Sequence, residues 1–420
     1  MISIVPPELT ERTLSLCHPR DVASFAQTCR SAHTLVYRSP DQYLWRTLFL
    51  EYPFDDPRPS GEPSEVDWRA KLRRRVRAEQ IARRDGDRRE LVDVLLECVR
   101  EAAPWATHQT SHNLSWVTAT LTVGESPWIE KCLRLGLPDS ASGAEKLRAH
   151  LALSLDHGAG IEAPEKLRVL RRMSRTRVYD LRNYTRETHW GPFTDGGDRV
   201  NWSHVNAFVT VIAMNLRDFG GDWPKEFKPR AIVQGLEACR AYSAPGTLQR
   251  SPLDWAGVEG QWLRITSGRD PGFFDDEHQE ASRLLRLDLR IITVESDPRV
   301  LEKLPDPSRP PITFGGTMRG FNSEEALNRV VRGTVWVMKD GNIRWSFVSA
   351  PGGQQPYNTA YLRLSESFEL ITSSSSEGVQ IGGVCSAAGV VGAWSSAHHE
   401  QGRFLLSSPS SPSWTYPHCC

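Results

Sequence analysis

The spacing of apolar positions changes along the chain: a 3.6-residue period dominates the first part, and a two-residue period takes over after about residue 257. At the start, Leu9, Thr13 and Leu16 fall on one face of a short helix. Pro6 and Pro7 suit its first turn, where no amide donor is needed, and Cys17-His18-Pro19 ends it. Val22, Phe25, Ala26, Cys29 and Ala32 make a second stripe, for which Asp21 is the expected cap. Ser39-Pro40-Asp41-Gln42 has capping-box spacing, with the Ser cap worth about 1 kcal/mol. It should launch a third helix bearing Tyr43, Leu44, Leu48 and Phe49. Three helices this short cannot bury all these side chains among themselves, so the pattern predicts a face kept for a partner.

Tyr52 to Glu65 is rich in Pro, Asp and Glu and reads as a connector. Helical stripes follow: Trp68, Leu72 and Val76, then Leu91, Val94, Leu95, Cys98 and Ala102. Val205, Phe208, Val209, Ile212 and Leu216 form another, with Asn201 and Ser203 as potential caps. Further on, Leu285, Leu287, Leu289 and Ile291 alternate with other residues as in a half-buried strand. Val335 to Met338 and Ile343 to Phe347 flank Lys339-Asp340-Gly341-Asn342, and Asp-Gly between such runs signals a hairpin. Gly260 to Thr266, Ile312 to Met318, Gly378 to Val384 and Val390 to Trp394 add further strands. Antiparallel strands without long intervening helices point to a barrel or a sandwich; a small up-and-down barrel is favoured because closure removes exposed edges.

Composition narrows the classes. Apolar residues are 39% and charged residues 24% of 420 residues, ordinary for a protein with real cores and room for two or three domains. Formal net charge is zero, so the whole-chain field recruits neither nucleic acid nor an anionic membrane. The 8 Cys are scattered without a Cys-x-x-Cys pair, which suits a reduced cytoplasmic or nuclear compartment. Met1 to Pro7 lacks the pattern of a signal peptide, and Gly378 to Ala397 is too rich in Gly and Ser to span a membrane.

The first fifty residues carry an ordered set of motifs: Val5-Pro6-Pro7-Glu8-Leu9, Leu14-Ser15-Leu16, Pro19-Arg20-Asp21-Val22, Cys29-Arg30 and Leu44-Trp45. In order and spacing these resemble the F-box. Val5 stands for the family's Leu, Thr10 and Thr13 for aliphatics, and Ala32-His33 for the usual Trp-Arg. The resemblance implies a substrate receptor that docks a Skp-family adaptor of an SCF, or cullin-type, ubiquitin ligase. It places the adaptor contact on Pro6, Leu9, Leu14, Leu16, Val22 and Phe25. Val178 to Thr185, Trp190-Gly191-Pro192-Phe193, Asp254 to Gly260 and Glu377 to Gly383 look like segments of a fungal family of uncharacterised F-box proteins. Relative to those, 355–374 reads as an insertion, expected to form a loop outside the sheet. The chain also departs after Gly402, which leaves a barrel short of its last strand.

The expected architecture is therefore α+β and multidomain. It comprises a three-helix F-box over 1–50, a connector at 51–66, a helical middle region at 67–250 and an antiparallel, barrel-like β domain at 251–402, closed or open. The tail 403–420, dominated by Ser and Pro, is expected to be disordered. Such a receptor needs no catalytic residues, metal or cofactor of its own; its partners would be the adaptor, the cullin assembly and a target protein. Trp262, Trp336 and Trp345 are candidate target anchors, with barrel core as the plainer role. A lipocalin-like small-ligand binder or enzyme, and an F-box scaffold acting outside the ligase, are the alternatives. Arg69 to Arg89 holds ten basic and three acidic residues and reads as a solvated helix face before an import signal or a nucleic-acid patch. Arg168, Arg171, Arg172, Arg175 and Arg177 form a second basic run, also read as helix surface. His398-His399-Glu400 lacks the further ligands a metal needs, and Cys419-Cys420 resembles a prenylation ending without the nucleotide-binding fold that accompanies one.

Overall fold

Two prolines set the first helices of the chain. In a computed structural model, Pro7 opens α1 (Pro7–Ser15) and Pro19 opens α2 (Pro19–Ala26), each where a missing N–H leaves no bond unmade. The residues described are 5–39, 41–52, 54–57, 66–84, 88–107, 110–123, 141–151, 164–218, 235–244, 246–269, 280–320, 328–352, 374–396 and 411–417. α3 (Arg30–Tyr37) and α4 (Tyr43–Glu51) follow, so four short helices stand where the periodicity predicted three. The stripe from Val22 to Ala32 breaks because the Cys29 sulfur accepts the Ala32 N–H at 3.5 Å and caps a new helix. His18 caps α2 in place of Asp21, its Nδ1 accepting the Arg20 N–H at 3.1 Å. Ser39 does not cap α4: its hydroxyl donates to Asp41 at 3.0 Å.

These helices belong to one of two compact units, Met1–Arg134, which also contains α5 (Trp68–Arg84), α6 (Arg88–Arg100) and α7 (His112–Thr122). The stripes at Leu72 and Val76 and at Leu91, Val94, Leu95 and Cys98 are buried, as their periodicity predicts. The first helices of the 67–250 stretch complete the core of the N-terminal unit. Trp68 meets Phe49 edge-on at 5.4 Å, and Trp116 meets Phe54 at 5.4 Å, so α4, α5 and α7 share one core. Within the 51–66 stretch, Phe54 and Asp55 are buried. The Asp55 carboxylate accepts from the Ala103 N–H (2.9 Å), the His112 N–H (3.0 Å) and the Ser111 hydroxyl (2.5 Å). Those donors replace the water that a buried charge must give up. Arg75, also buried, lies over the rings of Phe49 and Phe54 and donates to Asn113 (3.0 Å) and Glu101 (3.1 Å).

The second unit, Leu135–Cys420, is built on an antiparallel sheet. A two-stranded ribbon, β1 (Phe193–Thr194) and β2 (Arg199–Val200), precedes it. Seven strands then pair in sequence: β3 (Gly260–Arg269), β4 (Glu280–Val294), β5 (Ile312–Gly320), β6 (Arg329–Val337), β7 (Ile343–Pro351), β8 (Ser374–Gln380) and β9 (Val390–Ser396). The β6–β7 hairpin turns at Asp340-Gly341, where Gly341 takes φ +75°, so the Asp-Gly signal holds. β8, containing Val379, lies in the same sheet as that hairpin. Residues 355–373 of the expected insertion lie outside those described; Ser374 starts β8.

The sheet curls, and β10 (Ser411–Pro417) pairs with β3 on one side and β9 on the other, closing it into a barrel. This overturns the expectation of a missing last strand and, for 411–417, that of a disordered tail; 403–410 and 418–420 lie outside the described residues. The Ser and Pro of the tail conceal Trp414-Thr415-Tyr416, a run of residues that favour strands, and pairing on both edges satisfies its backbone. The interior holds Trp262, Leu287, Leu289, Phe314, Val335, Trp345 and Phe347. Gly333 leaves room for this filling, because a Cβ there would lie 2.4 Å from that of Phe347 and 2.6 Å from the Phe314 ring. Outside the barrel, α10 (Trp202–Asp218) packs against β3, β9 and β10, whose residues Leu263 and Ile265 on β3 and Val391 and Ala393 on β9 are buried. Asn201 caps it, its Oδ1 accepting the His204 N–H at 3.1 Å, while α8 (Ala141–Leu151) and α9 (Pro164–Val178) pack on its other side. One short helix, α11 (Pro298–Leu301), lies between β4 and β5. The 67–250 stretch is thus divided, its first helices packed with the N-terminal unit and its last with the barrel.

Candidate functional site

The residues expected to meet a partner at the N-terminus divide into two sets. Leu14 and Val22 are 6% and 0% exposed, held in the core of the first unit, and so are not contact residues. The correction follows from the shape of a short helix: α1 is apolar on two faces, and only packing decides which one turns inward. Leu9 and Leu16 are 57% and 77% exposed, and Val5 is 48% exposed. Leu9 within α1 and Leu16 at its C-cap, seven residues apart, fall along one side of the helix, and Val5 is exposed just before its N-cap Pro6. Pro6 is exposed beside them, and Phe25 on α2 is half-buried. The inner side of α1 packs against α3 and α4, which hold it rigid. The result is an ordered helix presenting aliphatic side chains to solvent.

In the second unit the three candidate tryptophans have different surroundings. Trp262 and Trp345 are each 2% exposed and meet edge-on at 5.2 Å inside the barrel. The Trp262 indole N–H donates to the Val258 carbonyl and that of Trp345 to Gln380, both at 2.9 Å. They are core and cannot anchor a target while the barrel is intact. Trp336 is half-buried, and the Arg344 guanidinium lies over its ring at 5.0 Å and over Phe193 at 4.0 Å. Arg344 pairs with Glu377 at 2.8 Å, so this cluster ties β1 to β7 and β8.

One interior residue was not foreseen. Arg264 lies two positions after Trp262 and hence on the same, inward face of β3. Its Nη2 donates to the Ser376 hydroxyl at 2.9 Å, and its guanidinium lies 5.0 Å from the Phe347 ring. Its Nε has no hydrogen-bond acceptor, and among the described residues no carboxylate pairs with it. Burial, with the like charge of Arg329, pushes its pKa down to about 10. The signal available in the sequence was an arginine in phase with the inward row.

Among the described residues no group of three or more His, Cys, Asp or Glu could hold a metal ion, and no helix is long and apolar enough to cross a membrane. His398-His399-Glu400 and Cys419-Cys420 lie outside the described residues. No family model, curated protein or solved structure matches the chain.

Proposed function

We propose that the chain is a substrate-recognition subunit of a cullin-type ubiquitin ligase, docking a Skp-family adaptor through α1 and offering its barrel unit to a target protein. The observation that carries this reading is the exposure of Leu9 and Leu16 on one side of α1, with Val5 exposed just before it, in a segment whose sequence resembles the first helix of the F-box. Covering such side chains is favourable by about 1.5–3 kcal/mol each when fully buried. Pro6 and Phe25 flank these residues, while Leu14 and Val22 support them from beneath. A receptor of this kind performs no bond chemistry; it raises the effective concentration of target at enzymes held elsewhere in the assembly. Affinity purification of the tagged full chain with a Skp-family adaptor and a cullin tests the reading. Recovery of both is expected; the adaptor without the cullin would support a scaffold outside the ligase, and recovery of neither would contradict both.

A second reading, a barrel that binds a small ligand, draws on Arg264, a buried cation with no carboxylate beside it among the described residues. The aromatic filling of the interior leaves this reading only a small oxyanion, which a guanidinium and the Ser376 hydroxyl would suit. It requires that small carboxylates or phosphate raise the melting temperature of the chain and that Arg264→Met abolish the rise.

A further inference from the structure

We infer that a groove in the first unit, walled by α2, α3, α4 and α5, binds an extended peptide carrying acidic side chains at alternate positions. The groove has a volume of about 580 Å³ and is lined by Arg20, Tyr37, Trp45, Arg69, Arg73 and Arg77, over a floor that includes Leu72 and Val76. Lys71, Arg74 and Arg75 on α5 are neutralised by carboxylates on and just after α6: Lys71 pairs with Glu97 (2.9 Å) and Glu101 (2.5 Å), Arg74 with Glu97 (2.5 Å) and Arg75 with Glu101 (3.1 Å). The row facing the groove is neutralised only at Arg77, which pairs with Glu90 at 3.0 Å. Asp67 and Glu90 border the arginines of α5 on their other side, but no carboxylate lines the groove, and Arg20, Arg69 and Arg73 have no ion pair among the described residues. Like charges left together without counter-ions repel, and an anionic occupant removes that repulsion.

Spacing favours an extended peptide. Arg69, Arg73 and Arg77 recur every fourth residue of a helix, so their Cα atoms rise about 6 Å apart. Alternate side chains of an extended chain recur at about 6.6–6.8 Å, close enough for successive carboxylates to meet successive arginines. The aromatic wall argues against single-stranded nucleic acid. Tyr37 and Trp45 stack on each other at 5.9 Å, and the Arg69 guanidinium already covers the Tyr37 ring at 4.4 Å, which leaves little open ring face for a base. This site is separate from Val5, Leu9 and Leu16 at α1 and does not depend on the adaptor reading.

Fluorescence anisotropy on the full chain tests the inference, using a labelled peptide of about seven residues with glutamate at every second position. Binding should weaken steeply with added salt, and a peptide with lysine at the same positions should not bind. Arg20→Glu and Arg73→Glu, both at exposed positions, should each weaken binding about tenfold or more. Arg100→Glu, exposed on α6 and outside the groove, makes the same change in net charge and should leave binding within about twofold. Leu9→Asp with Leu16→Asp should also leave it intact. Absence of binding at low salt, equal affinity in the Arg20, Arg73 and Arg100 variants, or tighter binding of a short oligonucleotide through the same arginines would overturn the proposal.

Discussion

His150 and His204 are both buried, and desolvation holds each pKa down at about 3. His150 sits beside Trp202 and Lys146; the His204 Nε2 meets the Tyr184 hydroxyl at 3.2 Å, with Arg177 and Asp180 near it. In the unfolded chain both titrate near 6.5. Between about 6.5 and 3 the unfolded state therefore binds more protons than the folded one, and stability falls as pH falls through that window. Each group contributes a slope of about 1.4 kcal/mol per pH unit there. The urea midpoint should be lower at pH 5 than at pH 7, and a His150→Gln, His204→Gln double variant should show a shallower dependence. An unchanged slope in the double variant would contradict this assignment. Arg264 gives a second test at this scale. Arg264 has no carboxylate partner among the described residues to offset the cost of burying its charge, so Arg264→Met, an apolar side chain of similar length, should melt higher than the parent. A lower melting temperature would mean that the guanidinium has a stabilising role its neighbours do not reveal.

Among the elements, β10 has the largest leverage for its length. It pairs with β3 at Ser413 to Pro417 and with β9 at Ser411 to Thr415, so without it two strands keep unpaired backbone edges. A chain ending at residue 410 should self-associate on size-exclusion chromatography and lose its sharp thermal transition. A monomeric truncation with an unchanged melt would show that closure contributes little. The sequence did not reveal this strand because three prolines and five serines in 407–420 mask its short β-forming run. The β6–β7 hairpin was legible for the opposite reason: Asp340-Gly341 meets a local turn requirement that needs no distant partner. The break between α2 and α3 was not, since it rests on a thiol acting as a cap. The α1 site was half legible. Periodicity placed Leu9 and Leu16 on a helix, but with Leu14 equally apolar, only the packing of α3 and α4 selects which face stays outside.

For the whole molecule, α1 and the barrel belong to two different compact units, Met1–Arg134 and Leu135–Cys420. Composition near a short connector, as at 51–66, and helical periodicity, as over 67–250, do not say which core a helix joins. Phe54, Trp68 and Trp116 show that the N-terminal helices complete their core with α5 and α7. The central claim is that α1 is a docking helix, and isothermal titration calorimetry of the full chain against a Skp-family adaptor tests it most directly. The account predicts binding by the parent and its loss in Leu9→Asp with Leu16→Asp, while the helical circular dichroism stays unchanged because both side chains are exposed. It predicts no effect of Leu253→Asp, an exposed leucine in the barrel unit. Undiminished heat from the α1 double variant, or no binding by the parent chain, would contradict it.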